Sequence, residues 1–129
     1  MSHKILVVED HEDNRRIIHD LLTAHGFEVV EAVTGLEGVR AAERQPPALI
    51  LMDIQLPEID GYEATRRIKS QPRLKHIPII IITSYALSGD DAKAYAAGCD
   101  AYVSKPYSPR KLLTKIREFL PEQPEGGAI

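Results

Sequence analysis

Two stretches of this chain, Ala48-Leu49-Ile50-Leu51-Met52 and Ile79-Ile80-Ile81-Ile82, are apolar at nearly every position. A strand with one face in water alternates between apolar and polar residues; a strand covered on both faces does not. Both stretches fall far short of the roughly 18 apolar residues that a membrane span needs. Helix-like segments separate them from each other and from three further strand-like runs, Ile5–Val8, Phe27–Ala32 and Ala101–Ser104. Such alternation predicts right-handed crossovers and a parallel sheet with helices on both faces. The fold class is therefore α/β: a doubly wound, five-stranded parallel sheet flanked by five helices.

The helical segments carry their own start and stop signals. In the first, about Glu12 to His25, Ile17, Ile18, Leu21 and Leu22 recur at helical spacing, and Gly26 ends it. Thr34 caps the second, which runs to about Arg44 before Pro46-Pro47. The third spans about Tyr62 to Ser70. Ser88 caps the fourth, which ends near Gly98. Ser108-Pro109 opens the fifth, with a cap residue and then proline at the first helical position. Residues 1–120 read as one domain, and 121–129 as a flexible, breaker-rich tail.

Composition narrows the function classes. A net charge of −3 gives no basic stripe for nucleic acid, and no signal peptide or membrane segment is evident. One cysteine, Cys99, allows no internal disulfide, so a cytoplasmic setting is expected. The histidines His3, His11, His19, His25 and His76 show no metal-ligand spacing. The basic cluster Arg66, Arg67, Lys69, Arg73 and Lys75 reads as a solvated helix face and turn.

Chemistry gathers where the strand-like runs end. The first run ends in Glu9-Asp10, the long third in Asp53, the fourth in Thr83 and the fifth in Lys105-Pro106. In a parallel sheet these ends share one edge, the edge where ligands bind. Three carboxylates, a hydroxyl and an ammonium there suit a hard cation and a phosphoryl group. Each residue also has an ordinary reading: acids favour the start of a following helix, threonine suits strands, and most lysines are solvated.

In this order, with Pro57 and Asp60-Gly61 downstream of Asp53, the motifs resemble those of the receiver domain of two-component response regulators, over residues 3 to 120. Asp10-His11-Glu12-Asp13-Asn14-Arg15 looks like stand-alone receivers of the DivK type, and receivers of hybrid histidine kinases share that look. The resemblance implies a CheY-like, flavodoxin-like strand order of 2-1-3-4-5. It implies that Asp53 accepts a phosphoryl group from a phosphohistidine. It also implies Mg²⁺, or another divalent cation, on Asp10, Asp53 and the Gln55 backbone carbonyl, with Glu9 acting through a water. Thr83 and Lys105 would meet phosphoryl oxygens, Thr83 and Tyr102 would form the switch, and the Lys105-Pro106 bond would be cis. Ser84 would leave room for the phosphoryl group, and Tyr85 would shield it from water.

The expected partners are a histidine kinase or histidine phosphotransfer protein and a downstream effector protein, with no direct nucleic-acid or membrane contact. The first-helix face around Asn14, Arg15, Ile17 and Ile18 is the candidate docking surface, with at least one of the two isoleucines turned into the core. The chain would be a phosphoacceptor switch rather than a turnover enzyme. It reads as a stand-alone regulator or as a receiver from a hybrid kinase or multidomain regulator. A flavin-binding protein or small phosphatase on the same fold is disfavoured, because acids rather than a Gly-rich phosphate cradle follow the first strand.

Overall fold

The structure, a computed structural model, describes residues 3–83 and 90–120. Ser84, Tyr85, Ser88 and the tail 121–129 lie outside the described residues, and so do the expectations attached to them. The elements follow in strict alternation: β1 (Lys4–Val8), α1 (Glu12–Ala24), β2 (Glu28–Ala32), α2 (Gly35–Arg44), β3 (Leu49–Asp53), α3 (Gly61–Lys69), β4 (Ile79–Thr83), α4 (Asp90–Ala97), β5 (Ala101–Ser104) and α5 (Pro109–Phe119). The strands form one parallel sheet in the order β2-β1-β3-β4-β5.

Every residue of β3 and β4 is buried, as their unbroken apolar runs require. Alternation along the strands then builds two cores. Leu6, Val8, Ile50, Met52, Ile79 and Ile81 pack with residues of α2, α3 and α4 on one face. Ile5, Val7, Leu49, Leu51, Ile80 and Ile82 pack with α1 and α5 on the other. Within α1 the two adjacent isoleucines divide: Ile18 is buried, whereas Ile17 is 60% exposed.

Side chains cap the N-termini of α2, α3 and α5, each such cap contributing about 1 kcal/mol. The Thr34 hydroxyl accepts from the Glu37 N–H at 3.0 Å, and the Ser108 hydroxyl from the Lys111 N–H at 3.1 Å. Gly26 takes a φ of 88°, the left-handed conformation that ends α1. Phe27 falls outside β2 because its N–H turns back to the Leu22 carbonyl at 3.0 Å.

The basic cluster departs from its expected solvated character at Lys69. Its side chain is only 15% exposed, and Nζ lies 2.8 Å from Asp100 Oδ2. The same ammonium donates to the carbonyls of Ile77 and Lys75 at 2.8 and 3.1 Å. Asp100 in turn accepts from the Ile79 N–H at 2.8 Å. Lys69 thus ties the end of α3 to the start of β4 and to the turn between α4 and β5, while its aliphatic stem passes beside Gly98. Arg66 and Arg67 behave as expected, both pairing with Glu63 on the outside of α3.

Cys99 is buried, and burial followed by the neighbouring Asp100 charge pushes its thiol up to about 11. At pH 8 only about 0.1% of such a thiol is ionised, against roughly a quarter of a free one. A thiol reagent is therefore expected to label the unfolded chain more than about a hundredfold faster than the native one. Comparable rates would place Cys99 at the surface.

Candidate functional site

Parallel topology delivers the predicted residues to one edge of the sheet. Glu9 and Asp10 follow β1, Asp53 and Thr83 are the last residues of β3 and β4, and Lys105 follows β5. Asp53 is counted within β3 because its backbone still pairs with Ile82. Glu9 is 2% exposed, Asp53 6% and Thr83 fully buried.

The lysine closes the cluster. Its Nζ lies 3.3 Å from Asp53 Oδ2 and 3.7 Å from Glu9 Oε1. The Lys105-Pro106 bond is cis, as expected, and the Lys105 N–H donates to the Thr83 carbonyl at 2.6 Å. The Gln55 N–H approaches Asp53 Oδ1 at 3.4 Å. Thr83 pairs with Ser104, and Ile81 with Tyr102, so Thr83 and Tyr102 project to the same face of the sheet. Tyr102 is half-buried against the core of that face.

The loop after β3 shows why Asp60-Gly61 matters. The Asp60 carboxylate caps α3, accepting from the Glu63 N–H at 2.9 Å. The Gly61 N–H donates to the Ile54 carbonyl at 2.8 Å. A Cβ at Gly61 would overlap the Asp53 carbonyl oxygen and crowd Ile54 Cα. Glycine is therefore what allows α3 to abut the backbone that carries Asp53.

The electrostatics are frustrated. Burial raises the Glu9 carboxyl above its usual range, and the hydrogen bond and charge of Asp53 raise it further; the His11 N–H and Lys105 oppose this. Glu9 Oε2 accepts from the His11 N–H at 3.0 Å. Asp10 Oδ1 is buried and takes no hydrogen bond among the described residues. Oxygen donors that repel one another, one of them unsatisfied, fit a hard divalent cation.

Three neighbours of the site make contacts that the sequence did not predict. The His11 ring nitrogen lies 3.3 Å from Asp10 Oδ1 and 3.5 Å from Glu9 Oε2, so this histidine does stand beside potential metal ligands. Tyr107 is half-buried, and its phenol is pushed up first by burial and then by the charges of Glu9 and Asp53. Arg15 donates from Nη1 to the Glu9 carbonyl at 3.0 Å. His11, adjacent to the acid pair, left a signal in sequence, and Arg15 was named only as part of the candidate docking face; its contact with Glu9, like the approach of Tyr107, arises from tertiary geometry. His19, read as having nothing to pair with as a metal ligand, instead faces Glu31, its Nδ1 lying 2.8 Å from Oε2.

The fold and this acidic edge are those of a response regulator receiver domain, the family whose profile matches residues 5–117, and the chain belongs to it. It is 41% identical to the polar-differentiation response regulator DivK of Brucella ovis, over 93% of this chain and 98% of that one. Among solved structures it resembles the receiver domain of the sensor histidine kinase PA1611 from Pseudomonas aeruginosa. That match has 38% identity and a TM-score of 0.87, covers 93% and 98% of the two chains, and has a magnesium ion coordinated in the neighbour's active-site cleft. It also resembles the phosphorylated cyanobacterial phytochrome response regulator RcpA, with 31% identity and a TM-score of 0.81 over 95% and 97% of the chains. The chain is thus a receiver of two-component signalling, a class that works between histidine kinases and downstream effectors. Among the described residues no helix is long and apolar enough to cross a membrane.

Proposed function

We propose that this receiver takes a phosphoryl group from a phosphohistidine of a histidine kinase or histidine phosphotransfer protein onto Asp53, and signals by the change of shape that follows. The observation that carries this reading is the convergence of Glu9, Asp10, Asp53, Thr83 and Lys105 on one strand edge, with Lys105 Nζ 3.3 Å from Asp53 Oδ2. One Asp53 oxygen attacks phosphorus in line. The phosphorus–nitrogen bond breaks, its electron pair stays on the imidazole, and an acyl phosphate forms. Asp10, Asp53 and the Gln55 carbonyl, with Glu9 through a water, would hold a divalent cation, Mg²⁺ by likeness to the PA1611 receiver, which would supply neutralising charge. Lys105 leaves Asp53 and meets the incoming phosphoryl oxygens.

Thr83 then turns its hydroxyl to the phosphoryl group and Tyr102 follows inward, biasing the surface of α4, β5 and α5 toward an effector protein. Moving such a switch from about 1% to 99% active takes about 5.5 kcal/mol of differential interaction. The chain acts as a phosphoacceptor switch, not a turnover enzyme. For docking the phosphodonor, a groove of about 330 Å³ runs beside the site, lined by Ile17, Ile18, Leu21, Lys105, Pro106 and Tyr107. Exposed Ile17 supplies its apolar rim.

Intact mass after incubation with acetyl phosphate tests the chemistry. One added phosphoryl group that requires Mg²⁺ is expected. No addition, from acetyl phosphate or from a phosphorylated phosphotransfer protein, overturns the reading.

The frustrated charges give a stability test. Asp53→Asn removes like charge beside Glu9 and is expected to stabilise the metal-free protein by about 1 kcal/mol. Mg²⁺ at a hundred times its Kd should stabilise the parent by about 2.7 kcal/mol and the variant by far less. Urea denaturation with and without Mg²⁺ measures both; equal Mg²⁺ stabilisation of the two proteins would remove Asp53 from the cation site.

A further inference from the structure

We propose that Arg15 is a positioning residue for the cation site, holding the Glu9–Asp10 peptide so that both carboxylates face one ion. This rests on reading Glu9, Asp10 and Asp53 as the cation-binding acids. β1 ends at Val8, and Glu9 keeps a last sheet-like bond from its N–H to the Ala32 carbonyl at 3.0 Å. Beyond that point the ladder stops, and the chain must turn into α1. There Arg15, one turn into α1, donates from Nη1 to the Glu9 carbonyl at 3.0 Å.

That carbonyl belongs to the peptide plane joining Glu9 to Asp10. A peptide is rigid, so gripping its oxygen orients the α-carbons on both sides and therefore both side chains. The guanidinium is itself held, because its Nε donates to Glu31 Oε1 on β2 at 3.0 Å. The Arg15 side chain is 17% exposed, and the other Glu31 oxygen faces His19 Nδ1 at 2.8 Å. A planar fork that meets two acceptors in fixed geometry is a task for arginine; a lysine ammonium is a single mobile point. Arg16 offers the contrast. It is 70% exposed and pairs at 3.4 Å with Glu12, itself 72% exposed, an arrangement that constrains little.

Mg²⁺ is titrated calorimetrically into the parent, Arg15→Ala, Arg15→Lys and Arg16→Ala, at a temperature where circular dichroism shows all four folded. Residues that orient metal ligands usually contribute 10–100-fold to affinity. Arg15→Ala is expected to weaken Mg²⁺ binding about tenfold or more. Arg15→Lys should give little rescue, and Arg16→Ala should match the parent. In acetyl phosphate labelling, half-saturating Mg²⁺ should rise by the same factor in Arg15→Ala, while the rate at saturating Mg²⁺ stays within about twofold. A merely structural role would not separate these two quantities.

If Arg15→Ala does not fold, Glu31→Ala carries the test. It frees the guanidinium without removing it and should weaken Mg²⁺ binding about threefold or more. Unchanged Mg²⁺ affinity in Arg15→Ala, or in Glu31→Ala where that variant stands in, overturns the proposal alone. So does full rescue by lysine, or a loss of maximal rate with no shift in Mg²⁺ dependence. A parent protein that binds no Mg²⁺ overturns the reading of the acidic site, and this proposal with it.

Discussion

Asp53→Asn should lose phosphoryl uptake by at least about a thousandfold, equivalent to some 4 kcal/mol of barrier. The carboxamide has nearly the shape of the carboxylate, so the fold should persist, but its oxygen carries no full negative charge to attack phosphorus. The neighbouring acids are poor substitutes. Glu9 is 2% exposed, accepts from the His11 N–H and sits beside Lys105. In the proposed site Asp10 is committed to the cation. Mass spectrometry of both proteins after equal exposure to acetyl phosphate and Mg²⁺ decides the point. Uptake by the variant within about tenfold of the parent would move the phosphoacceptor elsewhere.

Gly61→Ala should harm both stability and chemistry. The added methyl group falls on the carbonyl oxygen of Asp53 and against Ile54 Cα, backbone atoms that cannot swing aside like a flexible side chain. Overpacking commonly costs about 1–3 kcal/mol, and here about 3 kcal/mol is expected. The strain is relieved by parting α3 from the end of β3, which displaces the nucleophile. A shift of about 1 Å at a reacting group can cost about a hundredfold in rate. A lower urea midpoint together with slower labelling at saturating Mg²⁺ is therefore expected. Normal labelling in a destabilised variant would mean that the loop yields without moving Asp53.

The sheet was legible because β3 and β4 are covered on both faces and carry nothing but apolar residues up to their polar ends. Element boundaries shifted by a residue where hydrogen bonding overrode side-chain character. Asp53 is polar yet paired as a strand residue, and Phe27 is apolar yet turned back toward α1. The acids, Thr83 and Lys105 were legible because parallel topology sends every strand end to one edge. Lys69, Arg15 and Tyr107 were not, since their partners depend on how distant elements pack. Lys69 meets Asp100 across 31 positions of sequence, and nothing local distinguishes it from Arg66 or Arg67 beside it.

The knot around Lys69 also has a mechanical meaning. It fastens the turn that leaves α4, at Asp100, to the end of α3 and to the first residue of β4. The opposite end of α4, at Asp90, follows β4 and so lies toward the edge that carries Thr83. In the proposed switch, a helix anchored at its exit and driven at its entry would behave as a lever with its fulcrum at the far end. With 8 residues in α4, the arm is about 12 Å long, and a tilt of about 10° sweeps its entry through roughly 2 Å while Asp100 stays still.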